Sequence, residues 1–299
     1  MVAPSGDQFV IESGGYRAAV TECGAGLREL EYDGRRLVEG YPEDAQASGG
    51  RGQLLLPWPN RIRDGRYRFG DRDHQLPISE VARGHASHGL VRWAAWRPVR
   101  VSGDAVELAY RLMAQPGYPW TLDLAVRYAV SGAGIEVTVT ATNRSWTQAP
   151  FAAGAHPYLR VGPGPVDAWT LSVPGRTALA TDDRKIPTGR VEVAGSDLDF
   201  RAGREIGATV LDTAYTDLDR DEDGRATVGL HGPDGGVELW MDAAHRWVQV
   251  YTAEELDPPR AAVAVEAMTA PPDAFNSGDD LVVLDQGATR TLSWGIRAC

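Results

Sequence analysis

Cysteine is almost missing from this chain: Cys23 and Cys299 are all that 299 residues contain. Two thiols cannot build a disulfide framework, so the fold must rest on a packed core. Basic charge is also short, since 30 Lys and Arg face 41 Asp and Glu and leave a formal charge of −11. With no Lys/Arg block to offset it locally, such a surface repels a phosphate backbone, which argues against a nucleic-acid partner. No apolar run approaches the roughly 20 residues that span a bilayer. The opening MVAPSGDQFVIESGGYR lacks the basic region and continuous apolar stretch of a secretion signal. A cytoplasmic protein without a membrane partner is expected, and in that setting the sequon Asn143-Arg144-Ser145 is a chance match. Fixed-period repeats, long helix-period segments and low-complexity linkers are missing too, so one continuous domain over 1–299 is expected.

What is present is a period of two. In Ile135-Glu136-Val137-Thr138-Val139-Thr140-Ala141-Thr142 apolar and polar residues alternate, as they must when one strand face packs and the other is wetted. Similar runs cover Val106 to Leu112, Leu124 to Val130, Val237 to Met241, Trp247 to Tyr251, Leu281 to Leu284 and Thr289 to Ile296. Turn clusters separate them, with 34 Gly and 19 Pro in the chain. Helix-period stretches are short, at Pro42 to Gln46 and Glu254 to Asp257. The expected class is all-β, with large antiparallel sheets packed face to face and few short helices. With 43% hydrophobic residues the core is ample.

Three motifs suggest chemistry that their context does not support. Asp219-Arg220-Asp221-Glu222-Asp223-Gly224 fits the first half of a calcium loop, but its twelfth position is Leu230 in place of a bidentate Glu. A solvated acidic hairpin is the better reading. Cys23-Gly24-Ala25-Gly26 lacks the third glycine and the helix of a dinucleotide site. His85-Ala86-Ser87-His88 could contribute metal ligands only if the chain turns between the two imidazoles, because residues three apart on a strand point to opposite faces. The alternative places one histidine on a cleft and the other in packing or solvent.

Three further segments set an isolated polar residue where packing or a tight turn would be expected: LLLPWPNRI at 54–62, AAGAHPYL at 152–159, and VAVEAMTAPPDAFN at 263–276. Together with His88 and Asp212 they supply one Arg, two His and two carboxylates. Each has a plain structural alternative. Arg61 could form a structural ion pair, His156 could be a satisfied core histidine, and Glu266 could be the buried partner of Arg61. An ionised carboxylate in a buried strand costs several kcal/mol, roughly, unless a partner compensates it.

In combination these residues closely resemble the aldose 1-epimerase (galactose mutarotase) family. The match rests on PWPNRI with Asp64-Gly65-Arg66-Tyr67, His88-Gly89, Ala155-His156-Pro157-Tyr158, Asp212 with Tyr215, the Tyr251-Thr252 strand end, and Glu266 with Pro272-Asp273-Ala274-Phe275-Asn276. It spans nearly the whole chain. The resemblance implies a large β-sandwich with an open sugar cleft on one sheet. It implies Glu266 as general base, His156 as general acid, and Arg61, His88 and Asp212 as holders of sugar hydroxyls, with Asn60 and Tyr158 beside them. His88-Gly89 continues as Leu90-Val91-Arg92-Trp93 where better-known members have a second glycine, and Asp212 lies in Leu-Asp-Thr-Ala-Tyr. Both departures are similar to a bacterial branch that includes sulfosugar mutarotase-like proteins.

The implied partner is a free aldohexose, the protein acting as a monomer or homodimer. Exchanging anomers of a hemiacetal requires one group to take the anomeric proton and another to protonate the ring oxygen, which needs no metal or cofactor. His156 is expected to start protonated and Glu266 ionised, the latter favoured by Arg61. Strand parity places Ala262, Ala264 and Glu266 on one face and Val263 and Val265 on the other. Asp273 to Asn276 is expected to be a loop bordering the cleft, and Trp58, Trp93 and Tyr158 are candidates for contact with the sugar's C–H face. Two alternatives stay open: a hexose-6-phosphate epimerase, with Arg63, Arg66, Arg83 and Arg92 as phosphate contacts, and a non-catalytic sugar-binding or sensor module.

Overall fold

Two large antiparallel sheets organise the computed structural model of the chain, which describes residues 2–233 and 235–299. The first has nine strands in the order Arg97–Val101, Ala105–Leu112, Leu122–Ser131, Gly134–Asn143, Thr289–Ala298, Gly235–Met241, Ala226–Gly232, Thr170–Ser172 and Arg204–Glu205. The second, the site sheet, runs Pro187–Glu192, Gly175–Thr181, Asp212–Leu218, Trp247–Tyr251, Val263–Met268, Gly154–Ala155 and Leu54–Leu55, with Tyr158–Leu159 also paired to Val263–Met268. The inner faces of both contribute to one hydrophobic cluster. Val126, Val137, Leu239 and Trp294 come from the first sheet, and Tyr215, Val250, Val263 and Val265 from the second. An N-terminal four-stranded sheet, residues 8–36, is fastened to the first sheet where the Tyr128 hydroxyl donates to the Ala25 carbonyl (2.7 Å).

The alternation read in the sequence is the observed pleat. Gly134–Asn143 buries Val137, Val139 and Ala141 and wets Glu136, Thr138 and Thr140, facing Thr289–Ala298 through the pairs Thr140↔Thr291 and Val139↔Leu292. All seven expected strands are present within two residues of their read limits. The two helix-period stretches are turns. Pro42 to Gln46 closes with the Ala45 N–H on the Pro42 carbonyl (3.0 Å), and Glu254 to Asp257 lies in an irregular loop, because segments this short do not repay the cost of nucleating a helix. Asp273 to Asn276 is not a simple loop either: the α-helix Ala274–Ser277 starts there. The acidic segment 219–224 is a turn but not a hairpin, since it carries the chain from Asp212–Leu218 in one sheet to Ala226–Gly232 in the other. Its Asp221 carboxylate accepts the Asp223 and Arg225 N–H groups at 3.0 and 2.8 Å.

Candidate active site

Strand Val263–Met268 is buried along its whole length, yet its two faces differ. Val263 and Val265 enter the main core, whereas Ala262 and Ala264 join Tyr158, Ala253 and Leu256 in a small separate cluster. Glu266 shares the alanine face. The neighbouring strands extend that face: register sets Gln249 opposite Glu266, Tyr251 opposite Ala264, and Asp212 opposite Tyr251. Small alanines leave open the space that longer side chains would fill. A cavity of about 610 Å³ opens there, lined by Glu266, His156, Arg61, His88, Asp212, Asn60 and Tyr158. All seven residues singled out in the sequence therefore meet in one place.

The floor of the cavity is a direct contact. His156 Nε2 lies 3.3 Å from Glu266 Oε1, with both residues at most 5% exposed. The His156 peptide is clamped, its N–H donating to the Gln53 carbonyl (3.0 Å) and its carbonyl accepting the Gly52 N–H (2.9 Å). Its ring stacks on Tyr158 at 5.0 Å and meets the His88 ring edge-on at 5.4 Å. The segment 47–51 lies flush against this stack. A Cβ on Gly50 would approach His156 Cδ2 to 2.9 Å, so a side chain there would displace the ring.

Electrostatics correct the expected protonation states. Burial lowers the His156 pKa to about 3, helped by the Arg92 charge and only partly opposed by Asp212. Burial likewise raises Glu266 well above the usual carboxylate range, and Asp212 adds to this while Arg61 opposes it. In the free site the pair therefore holds one proton between two neutral groups, in place of an imidazolium facing a carboxylate. Glu266 Oε2 and Gln249 Oε1 are buried, lie on opposed residues and lack a donor among the described residues.

Arg61 is not the ion partner of Glu266. Its Nε and Nη2 form a fork on Glu80 at 2.8 and 3.0 Å, and Nη1 donates to Asn60 Oδ1 at 3.2 Å. Burial acts to raise the Glu80 carboxyl, but Arg61 and Arg83 overcome it and hold it below its ordinary value. Asn60 and His88 clasp each other. The His88 N–H donates to the Asn60 carbonyl (2.8 Å), and the Asn60 N–H donates to His88 Nδ1 (3.2 Å), with both backbones in the left-handed region. The next residue must be glycine, because a Cβ on Gly89 would sit 2.0 Å from the Leu56 carbonyl oxygen. Asp212 accepts from Gln249 Nε2 (2.7 Å) and lies 3.2 Å from Lys185 Nζ.

His85 and His88 separate as the second alternative had it. His85 is fully buried. Its Nδ1 accepts the Asp64 N–H (3.1 Å) and its Nε2 donates to the Arg184 carbonyl (3.1 Å), so neither nitrogen has a free lone pair. Among the described residues no group of three or more His, Cys, Asp and Glu is placed to hold a metal ion. Of the aromatics, Trp93 and Tyr158 line the cavity, whereas Trp58 is buried against Phe275 at 5.7 Å. Asp273 and Asn276 line a different groove, together with Arg63 and Arg66; the Asp273 carboxylate accepts the Arg63 N–H at 2.9 Å. Glu80, Gln249, Lys185 and Arg51 are site residues that sequence reasoning missed. Of these only Lys185 carried a signal, as the one lysine in the chain.

The profile of the family described as aldose 1-epimerase matches residues 7–297. This chain belongs to the aldose 1-epimerase family. A protein of Escherichia coli K12 named "Uncharacterized protein YihR" is 33% identical over 293 residues, 98% of this chain and 93% of that one. Among solved structures, the GalM/aldose epimerase homologue from C. elegans superposes with a TM-score of 0.85 at 19% identity, covering 98% of this chain and 99% of its own. The galactose 1-epimerase from Lactobacillus acidophilus NCFM gives 0.79 at 20% identity, covering 95% and 92%. The sheet architecture is thus that of the aldose epimerases, and family membership supports a mutarotase-like isomerase activity on a small-molecule sugar.

Proposed function

We propose that this aldose epimerase interconverts the α and β anomers of an aldohexose, with Glu266 as proton acceptor and His156 as proton donor. The observation that carries the reading is the 3.3 Å contact between these two buried groups on the floor of a polar-lined cavity. Arg61, His88, Asp212 and Asn60 offer hydrogen-bond partners to hydroxyls, and the Tyr158 ring offers an apolar wall. The Tyr158 hydroxyl itself is already committed to the Gly49 carbonyl at 2.7 Å.

The single proton of the pair fits the stoichiometry. Moving it from Glu266 to His156 gives a carboxylate and an imidazolium without uptake from solvent, and sugar hydroxyls can stabilise that form as they replace water. Glu266 then takes the O1 proton, the C1–O5 bond breaks, and O5 receives the His156 proton, leaving an open-chain aldehyde. Rotation about C1–C2 turns the other aldehyde face inward. The steps reverse to close the ring, and each group contributes about 10²- to 10⁴-fold.

A second reading concerns the substrate. Arg51 and Arg92 line the cavity, and neither forms an ion pair among the described residues. Such cations favour a hexose with an anionic substituent, a phosphate or the sulfonate of the sulfosugar branch. Of the other cations expected to serve a phosphate, Arg83 is taken by Glu80 at 2.8 Å and Arg63 and Arg66 face another groove. We read the 299 residues as one domain acting in the cytoplasm as a monomer or homodimer. Among the described residues no helix is long and apolar enough to cross a membrane.

Polarimetry of freshly dissolved single anomers tests both readings, using glucose, galactose, glucose 6-phosphate and a 6-sulfonated glucose. Acceleration above the spontaneous rate is expected, with the acidic sugars preferred if the free arginines select the substrate. Binding of a sugar without acceleration would establish the sensor alternative.

A further inference from the structure

Lys185 is the only lysine among 299 residues, and its ammonium lies 3.2 Å from Asp212. It sits in the turn between Gly175–Thr181 and Pro187–Glu192, the outer strands of the site sheet. The register Ala178↔Tyr215 carries Thr181 to the level of Asp212, so the turn begins beside the cleft. Its backbone is left-handed, φ +66°, a conformation that disfavours any residue with a Cβ. Glycine would relieve that, and a half-buried Lys–Asp pair on the rim of a cleft returns only modest stability in exchange. Stability alone does not account for lysine here.

The turn is also held firmly. Asp182 Oδ1 accepts the N–H groups of Arg184 and Ile186, each at 2.9 Å. Arg184 donates to the Arg83 carbonyl (3.0 Å) and to Asp64 Oδ1 (2.6 Å), while its own carbonyl accepts from His85. Lys185 is thereby fixed to the loop that bears Glu80, the partner of Arg61. On the other side of Asp212, Gln249 donates to Oδ1 (2.7 Å). Oδ1 thus carries one hydrogen bond and Oδ2 faces the Lys185 ammonium, so each oxygen keeps a lone pair for a sugar hydroxyl.

We infer that Lys185 is a positioning residue, which locks Asp212 in place with Gln249 and offsets its charge beside the Glu266–His156 pair. The inference rests on the proposed hydroxyl-holding role of Asp212. Around Asp212 stand Lys185, Arg83, Tyr251, His156 and Glu266, and the pair itself is also faced by Arg61, Arg92, His88 and Tyr158. The negative charge of Asp212 raises the proton affinity of both Glu266 and His156. Removing the compensating cation raises both further, so the pair must lose its shared proton at higher pH.

The full-length protein is compared with its Lys185→Met and Lys185→Arg variants in two ways. Imidazole nitrogen NMR, with His156 assigned by difference from His156→Asn, follows the pair without any turnover. The Met variant is expected to titrate about half a pH unit or more higher, and the Arg variant as wild type. Mutarotation kinetics are expected to show KM about 5- to 10-fold higher in the Met variant, kcat within about twofold, and rescue by Arg. A Met variant with wild-type titration and KM overturns the inference, as does an Arg variant that restores neither. If wild type accelerates no sugar, the proposed reaction fails, and the NMR titration alone decides whether Lys185 tunes the pair.

Discussion

Two histidine–carboxylate contacts among the described residues use the same chemical groups to opposite effect. In the turn after Gly235–Met241, His245 Nδ1 lies 2.8 Å from Asp242 Oδ1, and the carboxylate also accepts the Ala244 N–H (2.9 Å) and the Ser293 N–H (2.7 Å). Burial acts to raise this carboxyl, but His245 and the backbone donors prevail and hold it below its ordinary range. On the cleft, Glu266 has His156 at the longer distance of 3.3 Å and no donor to Oε2 among the described residues, so burial prevails and its proton affinity rises. Backbone donors make the first pair a structural tie. Their lack leaves the second with a movable proton.

Substitutions can break this contrast. The largest effect is expected at the cleft, where Glu266→Gln and His156→Asn each lower catalysed mutarotation by at least about 10²-fold with the fold retained. Asp242→Ala should leave that rate unchanged; polarimetry beside circular dichroism reads both. The same Asp242→Ala strands the donors of His245, Ala244 and Ser293 and should lower unfolding free energy by about 1–3 kcal/mol in urea. Smallest and opposite in sign is the stability of Glu266→Gln. The folded-state pKa of Glu266 is raised, so the stability it contributes is complete below its unfolded value and is lost as pH rises through the folded one. Glutamine carries no such dependence. Its melting point should match wild type near pH 4 and exceed it by about 2–4 °C at pH 8, as differential scanning calorimetry would read. Equal melting points at both values would mean that Glu266 is ionised at no cost.

The sheets were legible where one face is wet. Gly134–Asn143 alternates cleanly because its outer face carries threonine and charge. Pro187–Glu192 was missed because it is an edge strand exposed along most of its length, so no apolar face marks its pleat. Asp212–Leu218 hides behind acidic residues that serve the cleft and the connection beyond it. Within the site, the seven residues carried by the family resemblance all reach the cavity. Those it did not carry depend on distant partners. Gln249 matters because register sets it opposite Glu266, and Glu80 because it meets Arg61 from 19 residues away. No local pattern encodes either meeting.

The mutual clasp of Asn60 and His88 divides labour between two imidazoles whose centres are 5.4 Å apart. With Nδ1 spent on a peptide hydrogen, the neutral His88 ring keeps its own hydrogen on Nε2 and becomes a one-way valve, able to give a hydrogen bond to an arriving oxygen but unable to accept one. Its neighbour His156 has no such tether and can act in either direction, so an oxygen entering between them meets one grip that never reverses and one that does.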